Sequence, residues 1–167
     1  MKRLSYIAIL VAVVALASCE KKDYPKGLPE LEHHYYAVFV PNNNSAVSVS
    51  KSQSALLKFP VQFYSTFIRD YDAVAKYIVV PDATSPAAVG VDFNIVDKNG
   101  NTIQPTGGSY TITFPQAKQA MDTIYIKLLN NPASGSRKME VQLQDNITDK
   151  FDVDIFSTAY RRPVEIK

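Results

Sequence analysis

The sequence predicts an all-β protein, folded as an antiparallel β-sandwich of about seven to nine short strands. Three observations carry this prediction. Apolar and polar residues alternate with a period of two in several separate stretches, turn-forming residues stand between those stretches, and no stretch of useful length has helical periodicity. Alternation of this kind is typical of strands that bury one face and expose the other. Short strands separated by turns favour a sandwich, and a closed barrel is the competing architecture.

The alternation is clearest in five stretches, each of which predicts one strand with a buried face. Pro60 interrupts the second stretch and has no backbone N–H, so we expect that strand to be an edge strand or to carry a bulge there. The apolar positions of the five stretches are Val47 and Val49; Leu57, Phe59, Val61 and Phe63; Tyr110, Ile112 and Phe114; Met139, Val141 and Leu143; and Phe151, Val153 and Ile155.

Residues rich in Asn, Gly and Pro separate these stretches at positions 42–44, 98–101, 107–108 and 130–132. Such residues tolerate the backbone conformations that turns require. The pair Asn99-Gly100 predicts a hairpin turn of type I′, because both residue types readily adopt positive φ angles.

The first 18 residues are predicted to be a secretory signal peptide. Lys2 and Arg3 give a positive start, and an apolar run of 12 residues follows at positions 6–17. A membrane-spanning helix needs about 20 apolar residues, whereas the apolar region of a signal peptide has about 7–15. A retained membrane helix is the weaker alternative, because charged residues follow at positions 20–23.

The signal peptide ends in a short motif, Leu16-Ala17-Ser18-Cys19, that resembles the lipobox of bacterial lipoproteins. The resemblance implies cleavage before Cys19, attachment of diacylglycerol to its thiol, and a place at the outer membrane or cell surface. Burial of an acyl chain contributes about 0.8 kcal/mol per CH2, so two or three chains would hold a domain firmly on a membrane. An ordinary secretory signal with a chance cysteine is the alternative.

The mature chain is predicted to have a tether and one domain. Residues 19–32 contain two prolines, a glycine and many charges, which favour a flexible segment, and residues 33–167 are predicted to form a single sandwich domain. Removal of the signal peptide takes two of the 18 basic residues and none of the 16 acidic ones, so the mature chain is neutral. A neutral chain is not expected to bind nucleic acid. Cys19 is the only cysteine, which excludes disulfides and cysteine ligands from the domain.

Residues 87–146 resemble the Calx-beta-type, immunoglobulin-like sandwich repeat. The resemblance implies an immunoglobulin-like sandwich for this chain. The calcium-binding versions of the fold carry clustered acidic residues where this chain has Asn130 and Asn131, and no metal or cofactor site is predicted here. The segments that carry the resemblance are Gly90-Val91-Asp92-Phe93, Ile112-Thr113-Phe114, Ile124-Tyr125-Ile126 and Met139-Glu140-Val141-Gln142-Leu143.

The whole chain also resembles small lipoproteins of gut Bacteroidota, some of which are encoded beside glycan-import systems. Glu20 and Asp23, close to the lipidated cysteine, resemble the acidic signal that sends such lipoproteins to the cell surface. The segment Asp122-Thr123-Ile124 matches the Asp-Ser/Thr-apolar motif of O-glycosylation in that group. Glycosylation of Thr123 requires that it lie in an accessible turn before its strand.

The titratable residues predict no catalytic site and no metal site. His33 and His34 are the only histidines, and adjacent residues of an extended chain point to opposite sides. The acidic cluster lacks the turning glycine and the bidentate Glu of a calcium loop. Two of its members, Asp152 and Asp154, lie on the same face of a predicted strand, so a glycosidase acid/base pair is an open alternative. The cluster comprises Asp145, Asp149, Asp152 and Asp154.

The tyrosines predict a surface that contacts glycans. The chain has ten tyrosines and no tryptophan, and flat aromatic rings pack against the apolar faces of sugars. We therefore expect a non-catalytic binding or scaffolding role, accessory to glycan uptake or surface adhesion. The alternatives are a structural subunit that binds another envelope protein through a sheet edge, and a glycan-active enzyme. The candidate platform residues are Tyr36, Tyr64, Tyr71, Tyr77, Tyr125 and Tyr160.

Overall fold

A computed structural model describes residues 33–167, which form a β-sandwich of two sheets. The predicted signal peptide, lipobox and tether lie outside the described residues. Within the described part, no helix is long and apolar enough to cross a membrane. The strands are β1 (His34–Phe39), β2 (Val47–Val49), β3 (Leu57–Tyr64), β4 (Ala73–Pro81), β5 (Phe93–Val96), β6 (Tyr110–Phe114), β7 (Ala120–Leu128), β8 (Arg137–Gln144), β9 (Asn146–Ile147), β10 (Asp152–Ile155) and β11 (Arg161–Ile166).

The predicted fold class is confirmed, with two differences in detail. One sheet has six strands in the order β5-β7-β3-β1-β10-β9, and the other has five in the order β2-β11-β8-β4-β6. The described chain therefore has 11 strands rather than seven to nine, and the pairs β1–β10 and β2–β11 are parallel rather than antiparallel. Strands of two or three residues are too short to show an alternation, and a period of two carries no information on strand direction.

The predicted alternation decides which residues form the core between the sheets. All the apolar positions of the stretch that contains Phe63 are buried, as are those of the stretches in β6 and β8. The Phe63 ring stacks on that of Phe114 from the opposite sheet, with 4.5 Å between centroids, and contacts the Tyr35 ring at 5.2 Å. Side chains from the inner faces of both sheets thus interlock, which stabilises the sandwich by excluding water from a shared apolar layer.

The expectation for Pro60 was wrong, because β3 lies between β1 and β7 in the middle of its sheet. The Pro60 carbonyl accepts a hydrogen bond from the Val40 amide at 2.9 Å, so this side of Pro60 faces β1. Strand β1 ends at Phe39, the residue before Val40. The missing N–H of Pro60 therefore falls where the neighbouring strand stops, and its absence costs the sheet little.

The turn at residues 98–101 differs from the type I′ turn that the sequence predicts. Gly100 has a φ of 86°, while Asn99 is not among the residues with positive φ. The Gly100 amide donates to the Asp97 carbonyl at 3.0 Å, and the Asp97 amide donates to the Asn101 carbonyl at 2.8 Å. This is the longer hairpin connection, in which a turn is followed by a glycine in the left-handed region. The Asp97 carboxylate also accepts the Asn101 side-chain amide and the backbone amides of Asn101 and Asn99, which favours this conformation and lowers the Asp97 pKa.

The strand directions define two ends of the sandwich. Strands β1, β4, β7 and β10 begin at one end, where β3, β6 and β8 finish. We call this the N-terminal end, because residues 1–32 join the domain there. A loop of residues 65–72 crosses between the sheets at the N-terminal end and links β3 to β4.

Candidate functional site

Three aromatic rings lie together on the outer surface of the six-stranded sheet, two of them exposed and one half-buried. Tyr36 on β1 stands directly opposite Tyr64 on β3. The rings of Tyr36 and Phe156 stack in parallel, with 4.7 Å between centroids and 10° between planes. Tyr64 is 43% exposed and Phe156 is 42% exposed. We call this surface, formed by Tyr36, Tyr64 and Phe156, the aromatic face.

Polar side chains border the aromatic face on the side of β10. The His34 ring lies between two carboxylates, with its Nε2 at 3.3 Å from Asp152 and its Nδ1 at 3.5 Å from Asp154. Asp154 is also the direct neighbour of Tyr36 across the parallel β1–β10 pair. A carboxylate has two oxygens with about four lone-pair sites, and a contact with one ring nitrogen occupies one of them. The two carboxylates therefore keep acceptor capacity for the hydroxyl groups of a ligand that sits on the rings.

The strand period places all these side chains on one surface. His34 and Tyr36 are two residues apart on β1, and Asp152, Asp154 and Phe156 follow the same spacing on β10 and just beyond it. Residues two apart on a strand share a face. Phe156 was missed in the sequence, although a signal was present: it is a large apolar residue in the register of two exposed aspartates.

Two of the predicted platform tyrosines lie away from the aromatic face. The Tyr71 hydroxyl bonds the Tyr35 hydroxyl at 2.7 Å and contacts Nδ1 of His33; burial and the bond to Tyr35 raise the pKa of Tyr71. Tyr77 is buried in the core with its ring stacked on Tyr110 at 5.2 Å, and burial raises its pKa as well. Burial thus makes Tyr77 inaccessible to a glycan, whereas the role of Tyr71, which is partly buried, stays a prediction.

The remaining two platform candidates lie elsewhere on the surface. Tyr160 is partly buried against the core, with the Arg161 guanidinium 5.9 Å from its ring centre. Tyr125 lies on β7 opposite Lys58 and Val96, so it shares the sheet of the aromatic face but not its rings. Of the six predicted tyrosines, the structure brings Tyr36 and Tyr64 together.

Tyr125 and Thr123 line a cleft of about 400 Å³ between β7 of the six-stranded sheet and β6 at the edge of the five-stranded sheet. Thr123 lies within β7, opposite Pro60, and not in a turn before the strand. Its amide donates to the adjacent Asp122 carboxylate at 2.7 Å. The condition for glycosylation is thus not met in this conformation, and glycosylation of Thr123 stays a prediction.

A groove of about 470 Å³ lies on the five-stranded sheet. Its charged walls are largely paired: Lys138 lies 3.7 Å from Glu165, and Glu140 lies 3.4 Å from Arg161. Asp82 at its rim accepts the Thr84 hydroxyl and the amides of residues 84 and 85, and these bonds lower its pKa to about 2. Such pairing leaves fewer groups for a ligand than the aromatic face offers.

Two acidic residues, the buried Asp92 and the exposed Asp145, serve local structure by accepting hydrogen bonds from amides. Asp92, of the Gly-x-Asp-Phe segment, accepts the Ala88 amide at 2.8 Å and the Asn131 side-chain amide at 2.7 Å. Asp145 accepts the Ile155 amide at 3.0 Å. Across residues 33–167, no three or more His, Cys, Asp or Glu side chains are grouped so that they could hold a metal ion.

The architecture is that of a Calx-beta-like sandwich. It is similar to the apo form of the Calx CBD1 domain, with a TM-score of 0.51 and 13% sequence identity over 80% of this chain and 97% of that chain. It is also similar to CBD12 from CALX1.2, with a TM-score of 0.51 and 15% identity over 78% of this chain, which spans 44% of that longer chain. Likeness at this identity shows the fold alone. No protein-family model matches the sequence, and no curated protein matches it.

Proposed function

We propose that this chain is a lipid-anchored, non-catalytic binding domain of the bacterial cell envelope and that it binds carbohydrate on the aromatic face. The observation that carries the proposal is the stacking of the half-buried Tyr36 ring on the exposed Phe156 ring, with the exposed Tyr64 beside them. Exposed rings of this size are costly in water, and a contiguous exposed apolar patch marks an interaction site.

The chemistry of the surface fits a sugar better than an apolar ligand. A pyranose ring has an apolar face that packs on aromatic rings, while its hydroxyls need hydrogen-bonding partners. The rings supply the apolar packing surface, and the carboxylates of Asp152 and Asp154 supply hydrogen-bond acceptors for the hydroxyls. The aromatic face is open rather than enclosed, which suits a glycan chain that crosses the surface better than a small molecule that must be surrounded.

The proposed membrane attachment is supported by the sequence alone. Leu16, Ala17, Ser18 and Cys19 match the lipobox pattern directly after a signal-like apolar run. Lipid on Cys19 makes the membrane a partner of this chain and places it at the outer membrane or cell surface. There the aromatic face meets the glycans of the surroundings, in keeping with a role in glycan uptake or adhesion.

Substitution of the stacked ring tests carbohydrate binding. Phe156→Ala in the full chain is expected to raise the Kd for a bound glycan about twofold to tenfold, because an aromatic contact contributes about 0.5–1.5 kcal/mol beyond buried area. A glycan array identifies the ligand, and calorimetry measures the Kd. Tyr125→Ala is the matched control, since this ring lies on the same sheet outside the aromatic face. An array without any bound glycan, or equal losses in both variants, would contradict the proposal.

A second candidate function is attachment of a protein partner at the edge of the five-stranded sheet. Strand β6 pairs only with β4 and carries no charged residue, whereas edge strands are commonly guarded by charges or proline. An extended segment of another envelope protein could add there as a further strand. A photo-crosslinker at Thr113 is expected to capture that partner in cells, with Thr111 as a second site on the same edge. Recovery of the monomer alone from both sites would exclude this candidate.

A further inference from the structure

The loop of residues 65–72 exposes two consecutive large apolar side chains at the N-terminal end. Phe67 is 44% exposed and Ile68 is 63% exposed. Soluble domains seldom place adjacent large apolar residues at the tip of a loop, because the exposed apolar surface is unfavourable in water. The tip therefore calls for a partner of apolar character.

Hydrogen bonds hold the tip outward, so that it does not fold back on the domain. The Ser65 hydroxyl donates to the Phe67 carbonyl at 2.9 Å, and the Arg69 amide donates to the Gln116 carbonyl at 2.7 Å. The Asp72 carboxylate accepts the Gln116 amide at 2.9 Å. The loop is thus fixed at both sides of the tip, with Phe67 and Ile68 presented to the surroundings.

The same end of the sandwich gathers most of the exposed apolar surface. Of the eight large apolar residues that are exposed in the described chain, five lie at or next to the N-terminal end. Of the other three, Val89 and Val91 lie at the opposite end, and Phe156 belongs to the aromatic face just beyond the end of β10. The five residues are Tyr64, Phe67, Ile68, Met121 and Ile147.

The chain that carries Cys19 joins the domain beside this tip. His33 contacts Tyr71 of the loop through its Nδ1, and the two rings stack with 5.6 Å between centroids. Cys19 precedes His33 by 14 residues, so even a fully extended segment keeps the loop within about 50 Å of the lipid. A lipid anchor at Cys19 is therefore joined to the domain at this end, which is nearer to it along the chain than the opposite end is.

The charges around the tip do not oppose contact with lipid headgroups. Two basic residues, Arg69 and Lys118, and two acidic residues, Asp70 and Asp72, lie in or near this loop. Their formal charges sum to zero. Aromatic and aliphatic side chains on a neutral surface fit the boundary between headgroups and acyl chains, where apolar groups can be buried about 5–10 Å deep.

We propose that the tip formed by Phe67 and Ile68 inserts into the bilayer to which the chain is anchored, so that the N-terminal end of the sandwich rests on the membrane. This inference depends on the proposed lipid at Cys19. Because the strands run from one end of the sandwich to the other, insertion sets them upright on the membrane. The aromatic face then points sideways, toward glycan chains that lie along the cell surface.

The absence of tryptophan from the sequence allows a direct test. Phe67→Trp gives a single fluorescent reporter at the tip, and Val91→Trp gives a matched reporter at an exposed site on the opposite end. Each full, lipidated chain is reconstituted in vesicles of phosphatidylethanolamine and phosphatidylglycerol, with or without bromine on the acyl chains. We expect blue-shifted emission and several-fold stronger bromine quenching for Phe67→Trp than for Val91→Trp. Adding Ile68→Lys to Phe67→Trp should remove most of that quenching.

Vesicle flotation separates failure of the anchor from failure of the insertion. The unsubstituted chain should float with vesicles, and Cys19→Ala should lose most of the floating fraction. If the unsubstituted chain stays in solution, the proposed anchor is wrong and the inference falls with it. If the chain floats but both reporters are quenched equally, or neither is quenched, the anchor stands and the insertion is overturned. Ile68→Trp repeats the measurement should Phe67→Trp unfold at a lower temperature than the parent chain.

Discussion

Phe63→Ala is expected to lower the free energy of unfolding by about 3–5 kcal/mol, which is the usual cost of removing a buried phenylalanine. The Phe63 side chain is fully buried, and its ring contacts Phe114 of the opposite sheet and Tyr35 of the adjacent strand. Truncation leaves a cavity between the sheets. The surrounding rings can fill it only in part, because they belong to strands of two different sheets. Urea unfolding, followed by circular dichroism, measures the change through the midpoint at a constant slope.

The neighbouring residue provides the matched control. Tyr64→Ala removes a ring of similar size that points away from the core and is about half exposed. We expect the free energy of unfolding to change by less than about 1 kcal/mol, while glycan binding weakens. Equal destabilisation by the two substitutions would show that β3 does not have the register described for it.

Arg162→Ala should also destabilise the domain, by about 2–4 kcal/mol. Arg162 is 3% exposed, and burial lowers the pKa of its guanidinium. The guanidinium donates to the carbonyl oxygens of Pro41 and Asn43 and lies 4.9 Å from the centre of the Phe39 ring. Alanine would leave those carbonyls without their donor and a void beside the ring. These contacts join β11 of one sheet to the turn after β1 of the other.

Arg161→Ala is the control for Arg162→Ala, and both are measured by thermal and urea unfolding. Arg161 pairs with Glu140 at 3.4 Å on the outer surface of the five-stranded sheet, where its side chain is substantially exposed. Exposed ion pairs contribute about 0–1 kcal/mol, so we expect little change. A loss at position 161 as large as that at position 162 would argue against an interior bridge between the sheets at Arg162.

The neighbouring residues Phe63 and Tyr64, and likewise Arg161 and Arg162, show what alternation with a period of two can and cannot predict about burial. Phe63 and Tyr64 follow the alternation, and the sequence places each on the correct side. Arg162 is inside and Arg161 outside, although both are arginines and no difference of hydropathy separates them. A buried arginine is compatible with the sandwich only because two backbone carbonyls and a ring from the turn after β1 meet its guanidinium. That turn lies about 120 residues earlier in the chain.

The aromatic face likewise combines residues that the sequence predicts with residues that only the tertiary structure brings together. Tyr36 and Tyr64 are recognisable candidates by residue type, and the alternation in β3 places Tyr64 on the outer face. Phe156, His34 and their meeting with Asp152 and Asp154 depend on the parallel pairing of β1 with β10, which joins segments more than 100 residues apart. Strand pairing at that separation is decided by the packing of the whole sandwich, since local alternation specifies a face but no neighbour.

The sequence alone determined the fold class and the inward residues of the main strands, because both depend on local residue types and spacing. Local residue types also predict the lipid attachment at Cys19. Tertiary structure decided which strands are neighbours, why Pro60 is tolerated in a central strand, and which tyrosines reach the surface together. It also brought the loop with Phe67 and Ile68 to the end where His33 joins the domain. Those features depend on contacts between distant segments, and such contacts exist only once the two sheets have packed together.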